Sequence, residues 1–335
     1  MTAISLGDLA HSFMLRRQNV TLKYDMQRLS TELTTGRVAD TAARTSGDLV
    51  PLSGIDASLA RLKGYAAVTA EAGLFAATMQ TSLGVIADMS TDLSGSLLAA
   101  ASAGNTANQI DLVGGEARQK LESALSALNT RVGDRSLFAG THTTSPAVVN
   151  AETLLSALDA VLVGATSAAD VETAVTNWFN APTGFASLGY QGGPQLAALS
   201  ITPGDDAKLD VTANDPTIRA TLKGLALAAL LDRGVLAGQP GGRQDLARRA
   251  GVSLLESQTD RATLASRLGM AEAQIDAARA RNANESFALQ IARNDIVSAD
   301  PYETASKLEE TQAQLEKIYT ITARMTRLSL LDFMR

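Results

Sequence analysis

Between residues 5 and 33 the apolar positions Leu15, Leu22, Met26, Leu29 and Leu33 recur at steps of seven, four, three and four. That spacing places them on one narrow stripe of an α-helix, the geometry of a coiled-coil seam. Ser5, with Asp8 three residues on, suits the start of this helix, and Gly36 suits its end. A second stripe follows Asp300-Pro301-Tyr302-Glu303, with Asp300 fitted for the cap, Pro301 for the first helical position and Glu303 for reaching back to the cap amide. It carries Ala305, Leu308, Leu315, Ile318, Met325 and Leu328, and apolar side chains continue through Leu331 almost to Arg335. A free end is ordinarily polar, so this pattern predicts a covering partner.

Between these ends, Ile55, Leu59 and Leu62, then Leu83, Ile86, Leu93 and Leu97, then Leu121, Leu125, Leu128 and Val132 predict further amphipathic helices. Leu264, Leu268, Ala271, Ile275 and Ala278 answer them in the C-terminal half. The pattern breaks over residues 141–216, where five of the eight prolines fall together with Trp178, Phe179, Phe185 and Tyr190. There, Leu196 to Thr202 and Lys208 to Thr212 flank Pro203-Gly204-Asp205-Asp206 as a candidate hairpin, and Asn214-Asp215-Pro216 opens a helix with Ile218, Leu222 and Leu225. The expected fold is therefore mainly α: a long antiparallel helical bundle with coiled-coil terminal helices and an inserted small α+β domain. The expected divisions are residues 1–45 and 291–335 for the terminal helices, 46–140 and 217–290 for a helical rod domain, and 141–216 for the insert.

Composition sharpens this picture. Hydrophobic residues make up 45% of the 335 but aromatics only 4%, which favours helices packed through alanine and leucine. A net charge of −6, without basic clusters interleaved with aromatics, argues against nucleic acid. The absence of cysteine removes thiolate chemistry and sulfur-ligated metals. No basic segment followed by an apolar run marks a cleaved secretory signal at the N-terminus, and no stretch has the ~18 uninterrupted apolar residues of a membrane span.

Candidate chemistry is sparse. His11 and His142 stand far apart, without carboxylates at ligand spacing. Asp205-Asp206 and Glu309-Glu310 read as solvated pairs, and Gly192-Gly193-Pro194 and Gly241-Gly242 lack phosphate-loop spacing and read as turns. No catalytic residue, metal site or cofactor is expected, and the chain reads as a structural protein and not an enzyme. Periodicity alone leaves the terminal stripes open between a helix pair inside a monomer and contacts between copies.

Several segments carry a resemblance. Leu29-Ser30-Thr31-Glu32-Leu33-Thr34-Thr35-Gly36-Arg37, and the span from Ile296 to Leu331 with its Leu328-Ser329-Leu330-Leu331 ending, are similar to the two terminal helices of the flagellin and hook-associated protein 3 family of bacterial flagella. Asp134-Arg135-Ser136-Leu137-Phe138-Ala139-Gly140-Thr141 resembles the Arg-x-Leu-Phe-x-Gly exit of the hook-filament junction member, and Tyr190-Gln191-Gly192-Gly193 its Tyr-x-Gly turn. Asp40-Thr41-Ala42-Ala43-Arg44 departs from the acidic pair usual after the first stop. The resemblance implies a secreted extracellular flagellar subunit, exported unfolded without signal cleavage. It further implies polymerisation through terminal helices that order on assembly, either as the hook-filament junction protein or as a flagellin. The implied partners are copies of itself, a neighbouring hook-associated protein and flagellin, with an export chaperone on the C-terminal helix. On this reading the assembly interface comprises Leu15, Leu22, Met26, Leu29, Leu33, Leu308, Leu315, Ile318, Met325, Leu328 and Leu331. A soluble helical binding module is the competing class; its termini would be ordered in a stable monomer.

Overall fold

The computed structural model describes residues 6–102 and 107–333, with side-chain surroundings over 10–102 and 108–325. Its long helices are α1 (Leu6–Thr35), α3 (Val50–Ala100), α4 (Ala107–Leu128), α9 (Gln258–Val297) and α10 (Pro301–Phe333), with a one-turn α2 (Thr41–Arg44) after the first. Shorter helices α5 (Ala151–Val161), α6 (Ala168–Asn180), α7 (Pro216–Ala229) and α8 (Pro240–Glu256) fill the middle. Two small antiparallel pairs, β1 (Arg131–Val132) with β2 (Arg135–Ser136) and β3 (Leu199–Thr202) with β4 (Asp205–Ala207), are the described sheets. The fold is mainly helical with small two-stranded inserts, as the periodicity predicts.

The chain divides into two compact units, one of residues 1–62 with 284–335 and one of residues 63–283. In the larger unit α7 is the central helix: Leu222 and every residue from Gly224 to Ala229 are buried, with α4, α6 and α8 packed around it. Gly224 sets the approach of α8, since a Cβ there would stand 2.7 Å from Leu254 Cδ2. Ser94 on α3 donates its hydroxyl to Gly251 O of α8 at 2.9 Å, satisfying a buried side chain. In this unit Trp178, Phe179 and Phe185 form one aromatic cluster with ring centroids 5.1 to 6.2 Å apart.

Local chemistry explains several element ends. Asp215 caps α7 by accepting from Thr217 N at 2.9 Å, with Pro216 in the first turn. Ser167 and Asp170 form a full capping box on α6. Gly36 ends α1 at φ +67°, its amide donating to Glu32 O at 2.8 Å. The capping role expected of Ser5 lies outside the described residues. Asp300 caps α10 by accepting from Tyr302 N and Glu303 N, but Glu303 turns to Lys307 at 2.6 Å instead of reaching back to the cap.

The structure corrects four details. The stripes at Ile55–Leu62 and Leu83–Leu97 belong to one uninterrupted helix, α3. Val132 lies in β1, since α4 stops at Leu128. The hairpin turns at Pro203-Gly204, so Asp205 and Asp206 are strand residues, and Lys208 to Thr212 is not a strand. Gly204 at φ +85° permits the tighter turn. Gly241-Gly242 sits in the first turn of α8, where Pro240 has fixed the helical φ.

Candidate assembly interface

In the unit of residues 1–62 and 284–335, α1 and α10 run antiparallel along a shared seam. Leu22 packs with Leu315 and Ile318, and all three are buried. Beside it Lys23 Nζ lies 5.9 Å from the Tyr319 ring centroid, while further toward the α1 C-terminus Met26 and Ser30 line a shallow groove with Leu308 and Gln312. As α1 numbers rise, α10 numbers fall. Hydrogen bonds from Asn19, then Lys23, lower the pKa of the Tyr319 phenol, which fixes its ring beside α1.

The two helices are tied where α1 ends and α10 begins. Arg37 and Ser298 form an antiparallel bridge, Val38 N donates to Val297 O at 2.9 Å, and Ala299 N donates to Gly36 O at 3.0 Å. Glu32 is buried there, accepting from Ala39 N at 3.0 Å and pairing with Arg28 at 3.3 Å. A buried carboxylate satisfied by an amide and a guanidinium fixes this corner better than apolar contact alone. Arg293 Nε adds an ion pair to Asp56 at 2.6 Å within the same unit.

Leu22, Leu29, Leu315 and Ile318 are thus buried within a single chain. Leu15, Met26, Leu308 and Met325 are half-buried, and Leu33 is exposed. The side chains of Leu328 and Leu331 lie outside the described residues. A second stripe remains uncovered: Phe13, Val20 and Tyr24 are each 68% exposed. At ~100° per residue they fall within an arc of about 40° on the side of α1 opposite the seam. The steps of seven and four that join them were present in the sequence, but the leucine stripe on the other side drew the reading. On α10, Tyr319 and Ile321 are also partly exposed.

The remaining candidates form no reactive group. His142 is exposed with its ring nitrogen 3.5 Å from Gln191 O, and among the described residues no cluster of histidine and carboxylate side chains could hold a metal. Asp205 pairs with Arg281 at 2.8 Å, a structural tie between the hairpin and α9. The two internal segments singled out in the sequence prove to be one paired feature. Gly193 N donates to Ala139 O and Thr141 N to Pro194 O, both at 2.9 Å, while Tyr190 Oη donates to Gly193 O at 2.7 Å.

Comparison with known proteins bears on these helices directly. Residues 254–334, which include all of α9 and α10, match the bacterial flagellin C-terminal helical region. The match spans about a quarter of the chain, and over it the C-terminal helices are similar to those of flagellin. Among solved structures, the chain is similar to a protein designated a flagellar hook-associated protein, from Vibrio parahaemolyticus. The TM-score is 0.54 at 12% identity, covering 73% of this chain and 95% of that one, a likeness of fold. No curated protein matched the chain in a sequence comparison. Among the described residues, no helix is long and apolar enough to cross a membrane.

Proposed function

We propose that this chain is the junction subunit that joins the flagellar hook to the filament and assembles outside the cell through its paired terminal helices. The observation that carries assembly is the uncovered stripe of Phe13, Val20 and Tyr24 on a helix whose other face is already occupied by α10. A helix apolar on two opposite faces needs two partners, and one chain supplies only the first. Leu22, Leu29, Leu315 and Ile318 hold α1 and α10 together, and the outward stripe meets neighbouring copies. Folding of the termini is then coupled to assembly, because burial between subunits offsets the cost of ordering them.

The likeness in fold to a hook-associated protein favours the junction over the filament. Its partners on this reading are copies of itself, the adjoining hook-associated protein and flagellin. An export chaperone covers α10 before secretion. The flagellin C-terminal match supports a second reading, in which the chain forms the filament itself. Labelling the protein on intact cells separates them: one spot at the base of each filament is expected, and label along the whole filament overturns the junction. Seeded growth of purified monomer into long filaments would count the same way.

A further inference from the structure

The unit of residues 63–283 contains a cavity of about 260 Å³ between α3, α7 and α9. Leu83, Ile86 and Leu264 form its apolar walls, while Gln80, Thr221 and Arg261 supply polar ones. Arg261 is 8% exposed, and its guanidinium has only one satisfied edge: Nη1 donates to Leu254 O at 3.1 Å and Ser257 Oγ at 2.6 Å. Nε is buried without an acceptor, while Nη2 makes no hydrogen bond among the described residues and keeps some exposure. Gln80 Oε1 on the facing helix is likewise buried and unpartnered.

The partners of Nη1 are the last-turn carbonyl of α8 and a hydroxyl. Both are dipoles, so neither cancels a full charge. Asp88 also lines the cavity but is exposed and forms no ion pair with Arg261. Burying a guanidinium without a counter-charge is strongly unfavourable, and such groups are found paired with anions. The unsatisfied Nε–Nη2 edge is one of the two forks of a guanidinium that match a carboxylate's paired oxygens. We propose that this cavity binds a carboxylate, held by the Nε–Nη2 edge of Arg261. The carboxylate is either a small free anion or the side chain of an aspartate or glutamate from a neighbouring copy.

The test uses the full-length monomer labelled with ¹⁵N at arginine, titrated with acetate against chloride at constant ionic strength. The Arg261 Nε–H resonance is assigned from its loss in Arg261→Lys. It should shift saturably, with a dissociation constant in the millimolar range. Gly84 lines the same cavity, and a Cβ there meets nothing within 4 Å. Gly84→Leu should therefore weaken binding at least tenfold while leaving the circular dichroism spectrum unchanged. Ala87→Leu, on the same wall, serves if that variant does not fold. An unsaturable shift, or equal binding in the filled variants, would mean a hydrated arginine and overturn the proposal. Seeded assembly then identifies the source: acetate slows it beyond chloride if a neighbour supplies the carboxylate, and leaves it unchanged if the anion is free.

Discussion

Gly140 is held at φ +57°, and a Cβ there would run into the carbonyl oxygens of Pro194 and Gly193. Gly140→Ala should cost about 2–3 kcal/mol of unfolding free energy, measured by denaturant titration, because both the strained φ and the clash must be relieved. The sequence offered Arg-x-Leu-Phe-x-Gly and Tyr-x-Gly as separate segments; their junction is non-local and therefore invisible to periodicity. Caps were easier to read, since Asp215, Asp300 and Gly36 act within a few residues of themselves. Asp300→Ala should lower stability by about 1 kcal/mol through loss of the α10 cap. At Asp170 the Ser167 hydroxyl and the amides of Thr166 and Ser167 hold the carboxyl below its ordinary pKa. A depressed folded pKa contributes stability that is present above the ordinary carboxylate range and lost as pH falls through the folded value. The difference in Tm between the wild type and Asp170→Asn should therefore be full near neutral pH and vanish in acid.

At the level of elements, the steps of three and four identified both terminal stripes, and Leu22, Leu29, Leu315 and Ile318 are buried where those stripes meet. Periodicity could not say which helix would lie against which, because an apolar stripe carries no address. What specifies the pairing is polar: Tyr319 with Asn19 and Lys23, and the backbone bridge of Arg37 with Ser298 where the two helices meet. Leu315→Ala should destabilise the α1–α10 pair by about 2 kcal/mol, at the low end for a buried leucine because its cluster is small. Hydrogen exchange of the α1 amides reads this loss without requiring global unfolding. The hairpin was misread for a similar reason: Asp205 and Asp206 look like turn residues until Arg281, far along the chain, pairs with one of them.

For the whole molecule, the division into units predicts that light proteolysis trims both termini and leaves a folded fragment close to residues 63–283, identifiable by mass. In the assembly reading, Val20→Asp should stop polymerisation while leaving the monomer's circular dichroism unchanged, since Val20 is exposed and away from the seam. Leu315→Asp should stop it as well, but by separating α1 from α10. Normal assembly of Val20→Asp would remove the outward stripe from the interface. The bond between Ala299 and Gly36 carries one more consequence. It closes a loop of more than 260 residues, and loop-closure entropy together with long sequence separation makes such a contact among the last to form. Refolding should accordingly proceed in two kinetic stages, a fast one built from neighbours in sequence and a slower zippering of the chain's two ends. A circular permutant that joins the ends and opens the loop should merge them into one.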